Sequence, residues 1–199
     1  MYAEFPMDTR HADLYRQVAA NMARVADSTF PADVARAVDL IDAAFVAGRK
    51  LLVFGNGGSS ADAQHLTAEL VGRFGINREP LPAIALTTNQ AMLTAWSNDE
   101  SFEDVFRRQV LALGVAGDVA LGISTSGKSP NVVKALAAAR ERGLRTIGLT
   151  GRSPGPMADV CDLVLAPPVD ETARIQEVHL VAYHSICAAL EQRLVARVS

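Results

Sequence analysis

Residues 51–69 read LLVFGNGGSSADAQHLTAE, and this stretch decides the fold. An apolar run is followed by a turn rich in glycine and then by residues with helical character. The pattern predicts a buried strand, a glycine-rich turn and a helix. Glycines let the backbone approach a ligand closely, and the first turn of a helix offers unpaired N–H groups to an anion. We therefore expect a site for an anionic or hydroxylated ligand at the end of the first strand.

The same alternation of strand and helix continues along the chain. Further short apolar runs lie at 83–86, 118–124, 146–150 and 162–166. Helical patterns lie at 60–74, about 89–96, 103–113, 130–142, 154–160 and about 171–196. Continuous apolar runs of this length are typical of parallel strands that are buried on both faces. The chain is therefore predicted to be an α/β protein, a three-layer α/β/α sandwich with a five-stranded parallel sheet.

Two helices are predicted ahead of the first strand. The first spans about residues 8–26, where apolar side chains recur at helical spacing, at Leu14, Val18, Met22 and Val25. The second starts at Pro31 and is closed by Gly48. We expect residues 1–48 to form a helical extension that packs on the core and takes part in oligomerisation. Residues 49–199 should form the main domain, and the two parts together should make a single structural domain.

Composition excludes several classes of protein. The chain has 199 residues, 49% of them hydrophobic, and a net charge of −3 without a cluster of lysine and arginine. This balance gives no basis for nucleic-acid binding. No apolar run approaches the ~20 residues that span a bilayer, and the opening MYAEFPMDTRH lacks the apolar core of a signal peptide. We expect a cytoplasmic protein that binds no membrane, with Cys161 and Cys187 as buried free thiols.

A second polar loop follows the third predicted strand. The segment Gly122–Ser129 matches the phosphate-binding pattern GxxxxGK[ST] of nucleotide hydrolases. Gly122, however, lies inside the apolar run, and no strand ends in the aspartate that holds Mg²⁺ in those enzymes. The alternative is a phosphate site made of N–H groups at the next helix and of the hydroxyls of Ser124, Thr125, Ser126 and Ser129. The hydroxyls could instead cap the helix, but one cap accounts for only one of them.

Histidine and glutamate side chains are the candidates for acid–base or metal chemistry. His65 and Glu69 are four residues apart, so both lie on one face of the helix after the first loop. The pair could be exposed to solvent, or it could face the ligand, as the preceding loop favours. On the last helix, His179 has the better spacing with Gln176, whereas His184 lies among apolar residues and needs a partner.

Four segments together resemble the sugar isomerase (SIS) superfamily. They are GNGGSSADAQH (55–65), LPAIALTT (81–88), GDVALGISTSGKSPNVVKAL (117–136) and RIQEVHLVAYH (174–184). The resemblance covers the chain from about residue 10, and it is to the branch that acts on seven-carbon sugar phosphates. It implies a flavodoxin-like SIS domain and an aldose–ketose isomerase that interconverts sedoheptulose 7-phosphate and D-glycero-D-manno-heptose 7-phosphate.

The resemblance also implies which residues form the site. Substrate would be bound by Asn56, Gly57, Gly58, Ser59, Asn89, Ser124, Thr125, Ser126, Ser129 and Gln176. Glu69 would be the catalytic base and His184 the general acid. One Zn²⁺ per subunit would be bound by His65, Glu69, Gln176 and His184. Members of the family are homotetramers with active sites at subunit interfaces, so the resemblance implies the same assembly here.

Some features qualify what the resemblance implies. Gln176 and His184 are separated by ~12 Å along an ideal helix, so both can reach one ion only if it sits between them. Asn89 stands where the family often has an aspartate, which leaves an isomerase of a different sugar phosphate open. A non-enzymatic SIS protein that binds the bacterial replication initiator is a further alternative. Such proteins lack the catalytic glutamate and the C-terminal histidine, whereas Glu69 and His184 are both present here.

Overall fold

The structure is a computed structural model that describes residues 10–198, so the opening segment and the first residues of the predicted N-terminal helix lie outside it. The helices are Arg10–Ala26 (α1), Phe30–Val46 (α2), Gly58–Val71 (α3), Gln90–Asp99 (α4), Val105–Leu113 (α5), Pro130–Glu141 (α6), Met157–Val160 (α7) and Thr172–Val198 (α8). A 3-10 turn at Phe102–Asp104 precedes α5. The strands are Leu51–Gly55 (β1), Ala83–Ala85 (β2), Val119–Ser124 (β3), Arg145–Thr150 (β4) and Leu163–Leu165 (β5).

The strands form one parallel sheet in the order β2-β1-β3-β4-β5. This is the flavodoxin-like order, in which the direction of winding reverses between β1 and β3. Gly55 at the end of β1 is paired with Ile123 near the end of β3. The loops that follow these two strands therefore leave the same edge of the sheet side by side and can form the walls of one site.

The core lies in two layers, one on each face of the sheet. Alternate residues of β1 point to opposite faces, so Leu51 and Val53 pack with α2, α3 and α8, while Leu52 and Phe54 pack with α5, α6 and α7. The predicted three-layer α/β/α sandwich is confirmed. Among the described residues, no helix is long and apolar enough to cross a membrane.

Helix α3 begins earlier than the sequence pattern indicates, at Gly58 rather than near residue 60. Gly57 has a φ of +56°, a left-handed conformation that side chains rarely adopt. The chain turns at this single residue. The N–H of Ser59 then donates to the carbonyl of Asn56, and the N–H of Ser60 donates to the carbonyl of Gly57. The ligand loop is therefore short, and the helix N-terminus lies directly beside it.

Candidate active site

The loops after β1 and β3 are joined by a pair of side-chain amides. Nδ2 of Asn56 donates to Oδ1 of Asn131 at 2.8 Å, and Nδ2 of Asn131 donates back to Oδ1 of Asn56 at 2.9 Å. Asn131 lies in the first turn of α6 and is buried. The predicted ligand residue Asn56 is thus already engaged with a residue of the neighbouring loop.

Gly122 explains why the second loop resembles a nucleotide-binding loop without sharing its geometry. It lies within β3, and a Cβ added there would be 2.8 Å from side-chain atoms of Leu136 and Val132 on α6. The glycine therefore allows α6 to pack closely on the sheet. Its role is in packing, which supports the prediction that this loop does not serve a nucleotide hydrolase.

The hydroxyl groups of the serines in the second loop contact one another. Oγ of the buried Ser124 lies 2.9 Å from Oγ of Ser129 and 3.4 Å from Oγ of Ser126. Ser129 is the N-cap residue of α6, yet its side chain makes no capping hydrogen bond. Helix capping by Ser129 therefore does not account for these hydroxyls. Lys128 is exposed beside them, and its backbone N–H donates to Oγ of Ser126 at 3.2 Å.

Helices α3 and α8 bring His65, Glu69 and His184 together. Nε2 of His65 lies 3.1 Å from Oε1 of Glu69, and the ring centroids of His65 and His184 are 5.1 Å apart. The hydroxyl of Tyr183 lies 3.0 Å from Nδ1 of His65 and donates to Oδ1 of Asp62 at 3.5 Å. Both ring nitrogens of His65 are therefore fixed by neighbours, and an acid and a base stand side by side.

The structure distinguishes the two histidines of the last helix. His179 is fully buried, and its Nε2 donates to the carbonyl of Thr150 at 2.9 Å. Burial lowers the pKa of His179 to about 4, although the hydrogen bond to Thr150 acts in the opposite direction. His179 therefore anchors α8 to the sheet, and His184 is the histidine that contacts His65.

Gln176 and Asn89 lie at other parts of the site. A Cβ added to Gly58 would be 2.3 Å from Nε2 of Gln176, so this glutamine occupies the space that the missing side chain leaves at the start of α3. Asn89 is the N-cap of α4, and its Oδ1 accepts from the N–H of Met92 at 3.1 Å. An aspartate would make the same cap, so the departure at Asn89 is compatible with the local fold.

The fit of these residues to a metal ion is partial. Imidazole and carboxylate groups are ligands that zinc accepts, and Nε2 of His184 is buried without a hydrogen-bond partner. Gln176, however, lies against Gly58 at the start of α3. Within residues 10–198, no group of three or more His, Cys, Asp or Glu side chains is placed to hold a metal ion. The donors therefore have the right chemistry, but they are not assembled into a finished zinc site.

Asp62 and Tyr183 are site residues that the sequence pattern did not single out. The pKa of Asp62 is raised above its usual value because burial disfavours the charged carboxylate. The hydrogen bond from Tyr183 and the charge of His65 lower this pKa, but burial outweighs them. Burial, with Asp62 nearby, also raises the pKa of Tyr183, which keeps its hydroxyl protonated. The spacing of Asp62, His65 and Glu69 along one helix face is the signal that could have identified Asp62.

The segment after α3 is fixed by Glu191, which the sequence pattern also did not identify. Its carboxylate accepts from the N–H groups of Phe74, Gly75 and Ile76 at 2.7, 2.9 and 3.1 Å, and from Nε of Arg78 at 3.0 Å. Arg78 in turn donates to the backbone carbonyl of Glu69 at 2.8 Å. This arrangement holds the ring of Phe74 with its centroid 5.3 Å from that of His184.

Comparison with known proteins first defines the class. The sequence profile of the SIS domain matches residues 14–151. The chain is therefore an SIS-domain protein, with a hydroxyl-lined loop after β3 and a contact between His65 and Glu69 on the helix that follows β1.

Individual relatives then define the family. The chain is 55% identical over 161 residues to the phosphoheptose isomerase of Geotalea daltonii, across 81% of this chain and 84% of that one. It is 51% identical over 179 residues to the phosphoheptose isomerase of Synechocystis, across 90% and 92% of the two chains. The solved structure of phosphoheptose isomerase from Neisseria gonorrhoeae is similar with a TM-score of 0.88 at 39% identity, covering 94% of this chain and all of that one. The chain belongs to the phosphoheptose isomerase family, and it is a sugar-phosphate isomerase.

Proposed function

We propose that the protein interconverts sedoheptulose 7-phosphate and D-glycero-D-manno-heptose 7-phosphate, the first step in making activated heptose precursors. The observation that carries the proposal is the juxtaposition of Glu69, His65 and His184 beside the two ligand loops. An aldose–ketose isomerisation needs a base at carbon, an acid at oxygen and a fixed phosphate, and these are the groups that the site offers.

The proposed mechanism moves one proton between neighbouring carbons. In the ketose-to-aldose direction, Glu69 removes a proton from C1 while His184 donates a proton to the carbonyl oxygen at C2, which gives an enediol. Glu69 then returns its proton to C2 while His184 takes the proton of the O1 hydroxyl, and the aldehyde forms at C1. The hydrogen bond of 3.1 Å from His65 would hold the carboxylate of Glu69 in place for both transfers.

The phosphate would be bound away from the reacting carbons. Ser124, Thr125, Ser126 and Ser129 would donate hydroxyl protons to it, together with N–H groups at the start of α6. Gly57, Gly58, Ser59, Asn89 and Gln176 would contact the hydroxyls of the open sugar chain. Binding at both ends would hold C1 and C2 against Glu69 and His184.

We also propose one Zn²⁺ per subunit, held by His65, Glu69, Gln176 and His184. The unpartnered Nε2 of His184 supports this. Gln176 would need to turn from Gly58 toward the ion, and the ion would replace the hydrogen bond from His65 that otherwise holds Glu69. When bound, the metal would polarise the substrate carbonyl.

Elemental analysis of purified protein should find about one zinc per chain, with less in His65→Ala and in His184→Ala. Full activity of chelator-treated, metal-free protein would contradict a catalytic role for zinc.

The decisive test of the proposed base is Glu69→Gln, which keeps the shape of the side chain and removes its basicity. We expect turnover of sedoheptulose 7-phosphate to fall by roughly 100- to 10,000-fold with the fold intact by circular dichroism. Glu103→Gln, at an exposed position, is the matched control and should retain activity. Activity of Glu69→Gln within about threefold of wild type would rule out Glu69 as the base.

The proposal extends to assembly and location. We propose a homotetramer that works in the cytoplasm without nucleic acid or membrane partners. The apolar side chains that α1 and α8 leave exposed, Leu14, Tyr15, Leu180 and Val181, support association of subunits through these helices.

A further inference from the structure

We propose that Asn131 is a positioning residue, which sets the distance between the phosphate-binding loop and the acid–base residues through its paired amide with Asn56. The inference rests on the proposed function, because it concerns how the two ends of one sugar phosphate are held. It assigns a role to a residue that does not itself contact the reacting carbons.

The paired amides form the direct link between the two ligand loops. Each amide donates one N–H and accepts one, at 2.8 and 2.9 Å. Among the described residues, no other side-chain hydrogen bond joins residues 55–58 to residues 124–131. Asn131 is only 2% exposed, so an unpaired amide there would be left without water as a substitute partner.

The chemistry of the pair requires an amide on both sides. An amide has both a donor and an acceptor at its tip and carries no charge, so two amides can satisfy each other completely. A carboxylate at either position would place oxygen against oxygen and bury a charge. A hydroxyl at position 131 would be too short to span the same gap.

The position of the pair gives it a mechanical consequence for catalysis. Asn56 stands two residues before α3, the helix that carries His65 and Glu69. Asn131 stands two residues after Ser129, in the helix whose first turn faces the proposed phosphate. The pair therefore ties the phosphate end of the site to the reacting end. A misplacement of about 1 Å between reacting groups can lower a rate by about 100-fold.

A double-mutant cycle tests the role with Asn56→Ala, Asn131→Ala and the double variant. We expect each variant to lower kcat/KM for sedoheptulose 7-phosphate by about 10- to 100-fold, and the double variant to be within about threefold of either single one. Inhibition by inorganic phosphate should change by less than about threefold, because the serine cluster keeps its own hydrogen bonds. Val133→Ala, on the same helix outside the pair, is the control and should keep kcat/KM near wild type.

Other outcomes would overturn the inference. If Asn131→Ala stays within about threefold of wild type, or if the two single effects multiply in the double variant, the residues act separately. A parallel loss of phosphate inhibition would indicate collapse of the loop instead of loss of spacing. The activity of the wild type tests the proposed function separately. A wild-type protein that does not isomerise sedoheptulose 7-phosphate would contradict that function, whereas the comparison of the variants with wild type tests only the role of the amide pair.

The isosteric variant Asn131→Asp serves if the alanine variants do not fold. The protonated carboxyl regains an O–H that can donate to Asn56, whereas the ionised form cannot. We therefore expect the ratio of its kcat/KM to that of wild type to rise as the pH is lowered through the pKa of the new carboxyl. A ratio that does not change with pH would contradict the pairing role.

Discussion

Ser126 and Lys128 lie close together in the loop after β3, yet they offer different things to a bound phosphate. The hydroxyl of Ser126 is part of the serine cluster, 3.4 Å from Oγ of Ser124. Lys128 is exposed, and its backbone N–H rather than its ammonium group contacts the cluster. A phosphate bound here, as proposed, would therefore depend on hydroxyl and N–H donors.

Alanine substitutions separate the contributions of these two residues. Loss of one hydrogen bond to a charged group weakens binding by about 1.5–3 kcal/mol, or roughly 10- to 150-fold. We expect Ser126→Ala to raise the KM for the sugar phosphate by at least about tenfold and Lys128→Ala to raise it less. Calorimetry should detect no binding of ATP with Mg²⁺. Tight ATP binding that Lys128→Ala abolishes would make the loop a nucleotide site after all.

The buried His179 makes stability depend on pH. Its pKa of about 4 in the folded protein lies below the usual value near 6.5, so unfolding takes up a proton as the pH falls through this window. His179 therefore does not reduce the free energy of unfolding above about pH 6.5. As the pH is lowered toward about 4, its protonation in the unfolded chain reduces the free energy of unfolding by roughly 3 kcal/mol. Denaturant unfolding of wild type and His179→Gln should therefore converge in stability as the pH is lowered. The exposed His11→Gln is the control, and an unchanged difference between wild type and His179→Gln would contradict this account.

The sequence indicated the polar residues of the site better than it indicated their contacts. Periodicity places His65 and Glu69 on one helix face, and the structure brings them within 3.1 Å of each other. The choice between His179 and His184 could not be made from spacing, because it depends on which side of α8 meets the sheet. The amide pair of Asn56 and Asn131 joins residues 75 positions apart, and nothing local to either residue reveals it.

At the scale of elements, the segment between α3 and β2 is ordered by Glu191 rather than by regular structure. Burial would raise the pKa of Glu191, but three backbone N–H groups and the guanidinium of Arg78 outweigh it and hold the pKa below the usual value. The carboxylate is therefore a charged anchor for residues 74–78. Because α3 ends at Val71, this anchor also fixes the last turn of the helix that carries Glu69.

Glu191→Gln should release this segment. The NH2 group of the new amide would point at N–H donors that the carboxylate of Glu191 accepts from. Breaking a buried ion pair such as that with Arg78 lowers the stability of the folded protein by roughly 3–5 kcal/mol. We expect a lower melting temperature, faster hydrogen exchange in residues 72–80, and reduced turnover through the contact of Phe74 with His184. The exposed Glu141→Gln should change stability by less than about 0.5 kcal/mol. An unaltered melting temperature for Glu191→Gln would show that the segment is held in another way.

The strands and helices themselves were largely predictable. Five short apolar runs correspond to five parallel strands. The central strands β1 and β3 are buried along their whole length, and strands covered on both faces leave no polar position in the pattern. The sequence pattern places the start of α3 two residues too late, because the left-handed turn at Gly57 lets the helix begin sooner than its polar sequence suggests. Segment 72–80 has no periodicity, and its order depends on a residue more than a hundred positions away.

At the scale of the whole molecule, α1 and α8 leave an apolar surface without cover in the single chain. Leu14 is 42% exposed and Val181 54% exposed, and a groove of about 300 Å³ lies between α1, α2 and α8, lined by Val25, Phe30 and Val178 among others. Monomeric proteins rarely expose large apolar patches, so exposed apolar side chains beside an apolar groove favour association. Association of identical chains through these helices would bury it.

Light scattering tests this association. The wild-type protein should have the mass of a tetramer at micromolar concentration, and Leu14→Asp and Val181→Asp should shift the mass toward smaller species because they place a charge in the interface. Ala112→Asp adds the same charge at an exposed position at the end of α5 and should leave the assembly intact. A wild-type monomer under these conditions would refute the tetramer and any active site completed by a neighbouring subunit.

Phosphate binding by the hydroxyl-lined loop after β3, as proposed, would leave the direction of the reaction unset. Ketose and aldose carry the same phosphate, so a loop that recognises only this group holds both sugars with equal strength. Such uniform binding affects how much sugar is bound and leaves the balance between the two forms unchanged. The loop therefore favours neither form, and in the cell the net flux would run toward whichever sugar is drawn off downstream.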